Sequence, residues 1–178
     1  LFSRLKVFQS NRLAAIQQTT NLKSSLAPDF KKELISSDTV TLLKLLNDGK
    51  VTSYELVLVF YERAITIGLG LNALAEINIE SALEQAKKCD QTREELRKSD
   101  PSKLDGLGLL YGVPISIKST IMIKGLSANL GCANFMDHRP NTDGFLIVLL
   151  KNQGAIPFIT SNVPQCLMVN ETTNRIYG

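Results

Sequence analysis

The residues with the most chemical meaning lie in the run Tyr111-Gly112-Val113-Pro114-Ile115-Ser116-Ile117-Lys118-Ser119. Its alternation predicts a strand over Val113–Lys118, with Ile115 and Ile117 on one face and Ser116 and Lys118 on the other. A lysine closing an apolar strand is unusual, because desolvation disfavours its charged form. Such a lysine finds a partner, carries a lowered pKa or snorkels into water. A neutral lysine amine is a competent general base toward a serine hydroxyl. On the residues alone the snorkelling reading is the heavier one.

Two further runs stand out. Gly154-Ala155-Ile156-Pro157-Phe158-Ile159-Thr160-Ser161-Asn162-Val163-Pro164-Gln165 reads as a helix stop, a strand and a loop pinned by Pro164. The loop at the C-terminal end of a strand is where open α/β sheets place their sites. Asn170–Gly178 is dense in small hydrogen-bonding side chains and suits an ordered loop beside such a site. Other chemistry is poorly provided for. His138 is the single histidine, lies among polar neighbours and reads as a surface residue, so a multi-histidine metal site is excluded. Cys89, Cys132 and Cys166 match no CxxC spacing and read as small buried hydrophobes, with Cys166 of interest because it follows Gln165.

The elements that must position these runs can be drawn from periodicity. Leu1–Gln18 has loose helical spacing, and residues 19–37 read as a polar linker with at most a short helix. Asp38 or Thr39 caps a helix that Gly49 stops. Thr52 and Glu55 form a capping-box pattern at the head of the next helix. Asn72–Asn78 reads as a short strand. From Glu80 a helix follows with Ala82, Leu83, Ala86 and Cys89 inward and Lys87, Lys88, Arg93, Glu94 and Glu95 outward. Thr142 or Asp143 opens a helix over Phe145–Asn152, and Ala155–Thr160 is a strand. Helices first and strand–helix alternation afterwards argue for an α/β fold: N-terminal helices followed by part of a mixed, mainly parallel sheet flanked by helices.

Composition sets the outer limits. The 178 residues, 44% hydrophobic and 21% charged, suffice for one globular domain with a core and exclude disorder. The longest uncharged stretch, the 19 residues Asn152–Asn170, contains two prolines and several amides and is no membrane-spanning helix. The net charge of +3 is uneven: residues 1–28 carry Arg4, Lys6, Arg12 and Lys23 and no acid. That organisation suggests a basic helical arm over 1–28 and a near-neutral body over 29–178. The arm suits a solvated helix face, or contact with anionic lipid or an acidic partner. With no Trp and few aromatics near these charges, nucleic acid is not an expected partner. Three cysteines without a signal peptide fit a reducing, cytoplasmic location.

Taken together, Gly112–Lys118, Gly154–Pro157, Asn162–Gln165 and Asn174–Gly178 resemble, in order and spacing, the N-terminal part of the amidase signature family. The resemblance covers about Thr39 to Gly178, and the Asn-Val-Pro-Gln loop looks more like the fatty-acid amide hydrolase and acetamidase branch than the amidotransferase subunits. It implies a Ser-Ser-Lys amide hydrolase that needs neither cofactor nor metal. Lys118 then becomes the base, and Leu167 and Met168 resemble residues that line an acyl channel. Small-molecule amides, fatty-acid amides among them, are the implied substrates. A homodimer and membrane association through a segment upstream of the basic arm are further implications. The pattern departs from the family at Ser119, where an acidic residue is usual, and at Arg175, where the lipid hydrolases often have proline. The Gly-Gly-Ser-Ser-Gly region that carries both serines is not found in the sequence, so they are expected beyond Gly178 and the chain alone is expected to be inactive. A small-amide hydrolase or amidotransferase subunit of the same family, and a truncated non-catalytic binding protein, remain as alternatives.

Overall fold

A computed structural model describes residues 1–178. Four helices, α1 (Phe2–Gln18), α2 (Pro28–Ser36), α3 (Thr39–Asn47) and α4 (Ser53–Arg63), precede the first strand, β1 (Leu74–Ile77). Helix α5 (Ile79–Ser99), strand β2 (Pro114–Lys118), helix α6 (Phe145–Asn152) and strand β3 (Ile156–Ser161) follow. The sheet order is β1-β3-β2, so β3 is central; it runs antiparallel to β1 and parallel to β2. This is a mixed α/β fold. Five of the six β3 residues are buried, as a strand covered on both faces requires.

The helix starts follow from local chemistry. The Asp38 carboxylate accepts from Thr41 N at 2.8 Å and caps α3, and Thr52 Oγ1 accepts from Glu55 N at 3.1 Å and caps α4. The capping box is only half made. Glu55 does not reach back; its carboxylate accepts from Ser24 Oγ at 2.5 Å and Ser25 Oγ at 2.9 Å. Those bonds fasten the polar segment before α2 onto α4. Helix α2 itself begins at Pro28, whose fixed φ suits a first turn, and buries Leu34 completely. Helix α4 runs on into a π turn over Ala64–Gly68, where Leu69 N bonds Ala64 O at 3.0 Å. Helix α6 has the expected bounds, but its cap is Gly144. Asp143 instead accepts from Lys124 N at 2.8 Å and Lys151 Nζ at 2.6 Å, so it braces the helix from outside.

Two main clusters make the core. Val57 and Tyr61 of α4, Ala82 and Ala86 of α5, and Ile156 and Phe158 of β3 form one. Leu34, Leu42, Leu46, Leu56 and Val113 form the other. Each fully buried leucine contributes roughly 1.5–3 kcal/mol of transfer free energy. Helix α1 adds a third contact through Leu5 and Phe8, which pack with Ala75, Met136, Ile176 and Tyr177. No helix is long and apolar enough to cross a membrane.

Arg93 corrects the helical pattern. It was expected to face water, yet only 2% of it is exposed. Its guanidinium donates to Tyr111 O at 2.8 Å, Asn47 Oδ1 at 3.2 Å and Ser53 Oγ at 3.3 Å, and lies over the Tyr111 ring at 5.4 Å. The reason is tertiary: three segments that approach α5 leave oxygens that need a donor. Gly112 is part of the same junction. Its φ is +79°, and a Cβ there would collide with Ser53 Oγ, so the residue that opens the β2 motif must be glycine. Replacing Arg93 by Ala orphans these oxygens and opens a cavity, so Arg93→Ala is expected to destabilise by about 2–4 kcal/mol, with Arg93→Lys restoring only part. Urea midpoints of the two variants against the parent measure both effects.

Candidate functional site

The parallel pair β2–β3 sets the site. Lys118 is opposite Ser161 in the register, and Ser119 N donates to Ser161 O at 3.0 Å, so both strands end at the same level. Past that level β3 becomes the loop Asn162–Gln165. Lys118 is therefore placed at the C-terminal edge of the sheet beside the root of this loop. The face alternation holds: Ile117 is buried, whereas Ser116 and Lys118 are exposed. None of the ion pairs in the structure involves Lys118. Of the routes open to a strand-end lysine, this one takes the open, solvent-facing route.

Ser119 behaves differently. It is fully buried, and its Oγ is the one buried side-chain polar atom without a hydrogen-bond partner. An unmet buried hydroxyl costs about 1–3 kcal/mol. An acidic side chain buried there without a partner would cost more.

The loop after β3 is held by asparagines whose role the sequence pattern did not reveal. Asn162 Oδ1 accepts from Val163 N at 2.8 Å and from Asn174 Nδ2 at 2.7 Å. Its Nδ2 donates to Asn72 O at 2.8 Å and Gly178 O at 3.1 Å. Asn174 also donates to Val163 O at 2.7 Å, and its Oδ1 accepts from Ile176 N at 2.9 Å and Tyr177 N at 3.0 Å. The Asn162–Gln165 and Asn174–Gly178 motifs thus form one hydrogen-bonded unit. Gly131 lies against it: its φ is +67°, and a Cβ would come within 2.9 Å of Val163 O. Only glycine serves there. Asn129 shapes that approach, with its Oδ1 accepting from Gly131 N at 2.9 Å and its Nδ2 donating to the Tyr177 hydroxyl at 2.6 Å. Burial first, and then the nearby Glu76 carboxylate, push the Tyr177 phenol above its ordinary pKa, so it stays protonated.

Leu167 ends a short 3₁₀ turn, Gln165–Leu167, and Met168 caps it. Cys166 and Leu167 both have positive φ, 53° and 58°. Left-handed backbone costs an ordinary residue roughly 1–2 kcal/mol, so this turn is strained twice in succession. Cys166 N donates to Leu130 O at 2.8 Å, which anchors it. Leu167 is 48% exposed and Met168 81% exposed, and Val169 continues the open apolar run.

The remaining candidates fall away. His138 is exposed, as expected. Of the cysteines only Cys89 is buried; Cys132 is intermediate and Cys166 exposed, which corrects the expectation of three buried thiols. Burial pushes the Cys89 thiol up despite the opposing Arg93 charge, so it is a poor nucleophile. No group of three or more His, Cys, Asp or Glu side chains is arranged to hold a metal ion.

Comparison with known proteins bears on this geometry. The chain is 29% identical to an acetamidase of Emericella nidulans over 88% of its length, and 29% identical to fatty-acid amide hydrolase 2 of Homo sapiens over 77%. It spans only 27% and 26% of those two relatives, so it corresponds to about a quarter of each. The solved structure of a fatty acid amide hydrolase superposes with a TM-score of 0.82 at 22% identity, over 99% of this chain and 34% of that one. That likeness shows the fold, helix α1 included. The family model described as Amidase matches residues 55–178, the stretch that contains the Lys118 strand, both asparagine motifs and the Leu167–Met168 turn. On that match the chain belongs to the amidase family.

Proposed function

We propose that this chain is the N-terminal portion of a serine amidase that hydrolyses carboxylic amides by a Ser-Ser-Lys mechanism, with both serines supplied by polypeptide beyond Gly178. The observation that carries the proposal is Lys118 standing exposed at the C-terminal end of β2, level with the root of the Asn162–Gln165 loop. In this reading the Lys118 amine takes the proton relayed from the nucleophilic serine and later returns it to the leaving amine. The asparagine-held loop fixes one wall of the cleft. The basic arm 1–28 and the body 29–178 are two parts of this enzyme.

Leu167 and Met168 are the proposed contacts for the acyl group. Their exposure in a strained turn supports that role, since an open apolar run is stabilised when a ligand covers it. Long-chain amides are accordingly the proposed substrates, with the enzyme working as a homodimer near a lipid surface. A second reading, a small-amide hydrolase, is favoured by the acetamidase among the relatives.

The test uses the whole polypeptide to which this chain contributes. Lys118→Ala is expected to lower kcat/KM for amide hydrolysis by about 10³-fold while circular dichroism stays unchanged. Turnover at the parent rate sinks the assignment, and no turnover in the parent favours a non-catalytic protein. Leu167→Glu and Met168→Glu separate the substrate classes. An increase in KM for oleamide of about tenfold with acetamide unaffected supports the lipid reading; equal effects on both amides support the small-amide reading.

A further inference from the structure

Away from the Lys118 edge, a cavity of about 530 Å³ opens between helix α1, strand β1 and the loop that carries Asp137 and Arg139. Its size is ordinary for a small-molecule site. Its charges are unbalanced. Three guanidiniums, of Arg4, Arg12 and Arg139, face two carboxylates, of Glu76 and Asp137. The balance of donors and acceptors leans the same way.

The acceptors are largely taken. Glu76 has only 7% of its surface exposed. Its Oε1 accepts from Arg139 Nη2 at 2.9 Å, and its Oε2 accepts from Arg139 Nη1 at 3.1 Å and Ser127 N at 2.9 Å. Asp137 accepts from Arg4 at the rim. Donors are left over. Arg12 gives Nε and Nη2 to the carbonyls of Ala75 and Leu74, and Arg4 gives Nη2 to Asp137, so each keeps N–H groups without a protein acceptor. Ser3 and Asn11 add an exposed hydroxyl and amide from the same side of α1. A surplus of donors and of positive charge calls for an anion.

The rest of the lining is apolar: Val7, Phe8, Ala15 and Ile16 from α1, Ile77 from β1 and Leu126 from the loop. Val7 is 58% exposed and stands at the opening. A small inorganic anion would leave this surface wet. An anion carrying a hydrocarbon body would cover it, and each buried methylene would add roughly 0.8 kcal/mol.

From this we infer that the α1–β1 cavity is a binding site for a monomeric amphipathic carboxylate, distinct from the Lys118 site. The carboxylate head meets the free N–H groups of Arg4 and Arg12, and the hydrocarbon body lies along Val7, Phe8 and Leu126. This assignment does not depend on the amidase reading.

Isothermal titration of the whole protein with decanoate below its micellar concentration tests it, with decylamine and decanol titrated in parallel. Decanoate is expected to bind at one site in this cavity, with decylamine failing to bind and decanol binding at least tenfold more weakly. Arg4→Gln removes an exposed charge without touching the core and should weaken decanoate at least tenfold. Val7→Trp should obstruct the opening of the cavity and weaken this binding at least tenfold. Three outcomes overturn the inference: no saturable decanoate binding, equal binding of decylamine, or parent-like binding in either variant. Parent-like binding in Val7→Trp would place the carboxylate elsewhere, the proposed acyl site included.

Discussion

The side chain of Asn162 ties together three segments: the loop after β3, the residues before β1 and the Asn174–Gly178 turn. Its carbonyl oxygen receives the Val163 amide and the Asn174 side chain, and its amide reaches Asn72 O before β1 and Gly178 O beyond the Asn174 turn. Only 8% of Asn162 is exposed, so each broken bond would leave a polar group with little access to water. A single such bond adds about 0.5–1.5 kcal/mol net, but an orphaned buried partner costs about 1–3 kcal/mol. The asymmetry makes this a constraint on geometry more than a source of stability. With the four bonds made, the chain leaving β3 is fixed from its first residue, next to Ser161, which stands opposite Lys118 in the β2–β3 register.

Local periodicity and capping chemistry were enough to read much of the fold. Helix α6 and the core of β3 are visible as a largely apolar helix, a Gly154 stop and a run of apolar and β-branched residues, all signals contained in one short stretch of chain. Lys118 draws attention at the end of such a strand, but the residues alone favour a solvent-facing side chain, and only the family resemblance makes it a candidate base. The failures share a cause. Arg93 looks like one more surface charge on α5, and only the arrival of Asn47, Ser53 and the Tyr111 carbonyl gives its guanidinium a reason to be inside. Glu76 and Arg139 are 63 positions apart, and no pattern within one element announces their pairing. Asn129, Asn162 and Asn174 are harder still, because asparagine is expected in any loop. Their type suits turns in general, and their job is set by which carbonyls the tertiary structure leaves nearby.

The polar bookkeeping of the β2 edge points the same way as the motifs. β2 has a neighbour only in β3, and of α6 only Ile147 is fully buried, while Phe145, Leu146, Val148 and Leu149 are all open. Ser119 adds a buried hydroxyl with no acceptor. Protein interiors seldom tolerate either defect, since apolar helices seek cover and buried hydroxyls seek partners. Both lie at the β2 edge of the sheet, where Ile147 of α6 packs beside Ile117, whereas at the β1 edge helix α1 covers the strand and leaves the cavity between them.

The charge asymmetry of the N-terminus follows from that covered edge. An excess of four positive charges in the first 28 residues invites a reading in terms of membranes or acidic partners. Two of those charges are already engaged within the molecule. Arg12 donates to the carbonyls of Leu74 and Ala75, on the outer edge of β1, and stacks over Tyr177 at 5.1 Å. Arg4 pairs with Asp137 across the cavity mouth. An edge strand exposes unpaired backbone groups that invite aggregation, and covering it is a problem every open sheet must solve. Here part of the solution is a guanidinium: its fixed fork of N–H groups meets two successive carbonyls, which a lysine could not do with one point charge. Lys6 and Lys23 remain exposed, so the charge left for an external partner is about half of what the sequence suggests. The basic arm is first a structural device that seals the β1 edge, and any recognition of anions by it starts from the guanidinium N–H groups that sealing leaves free.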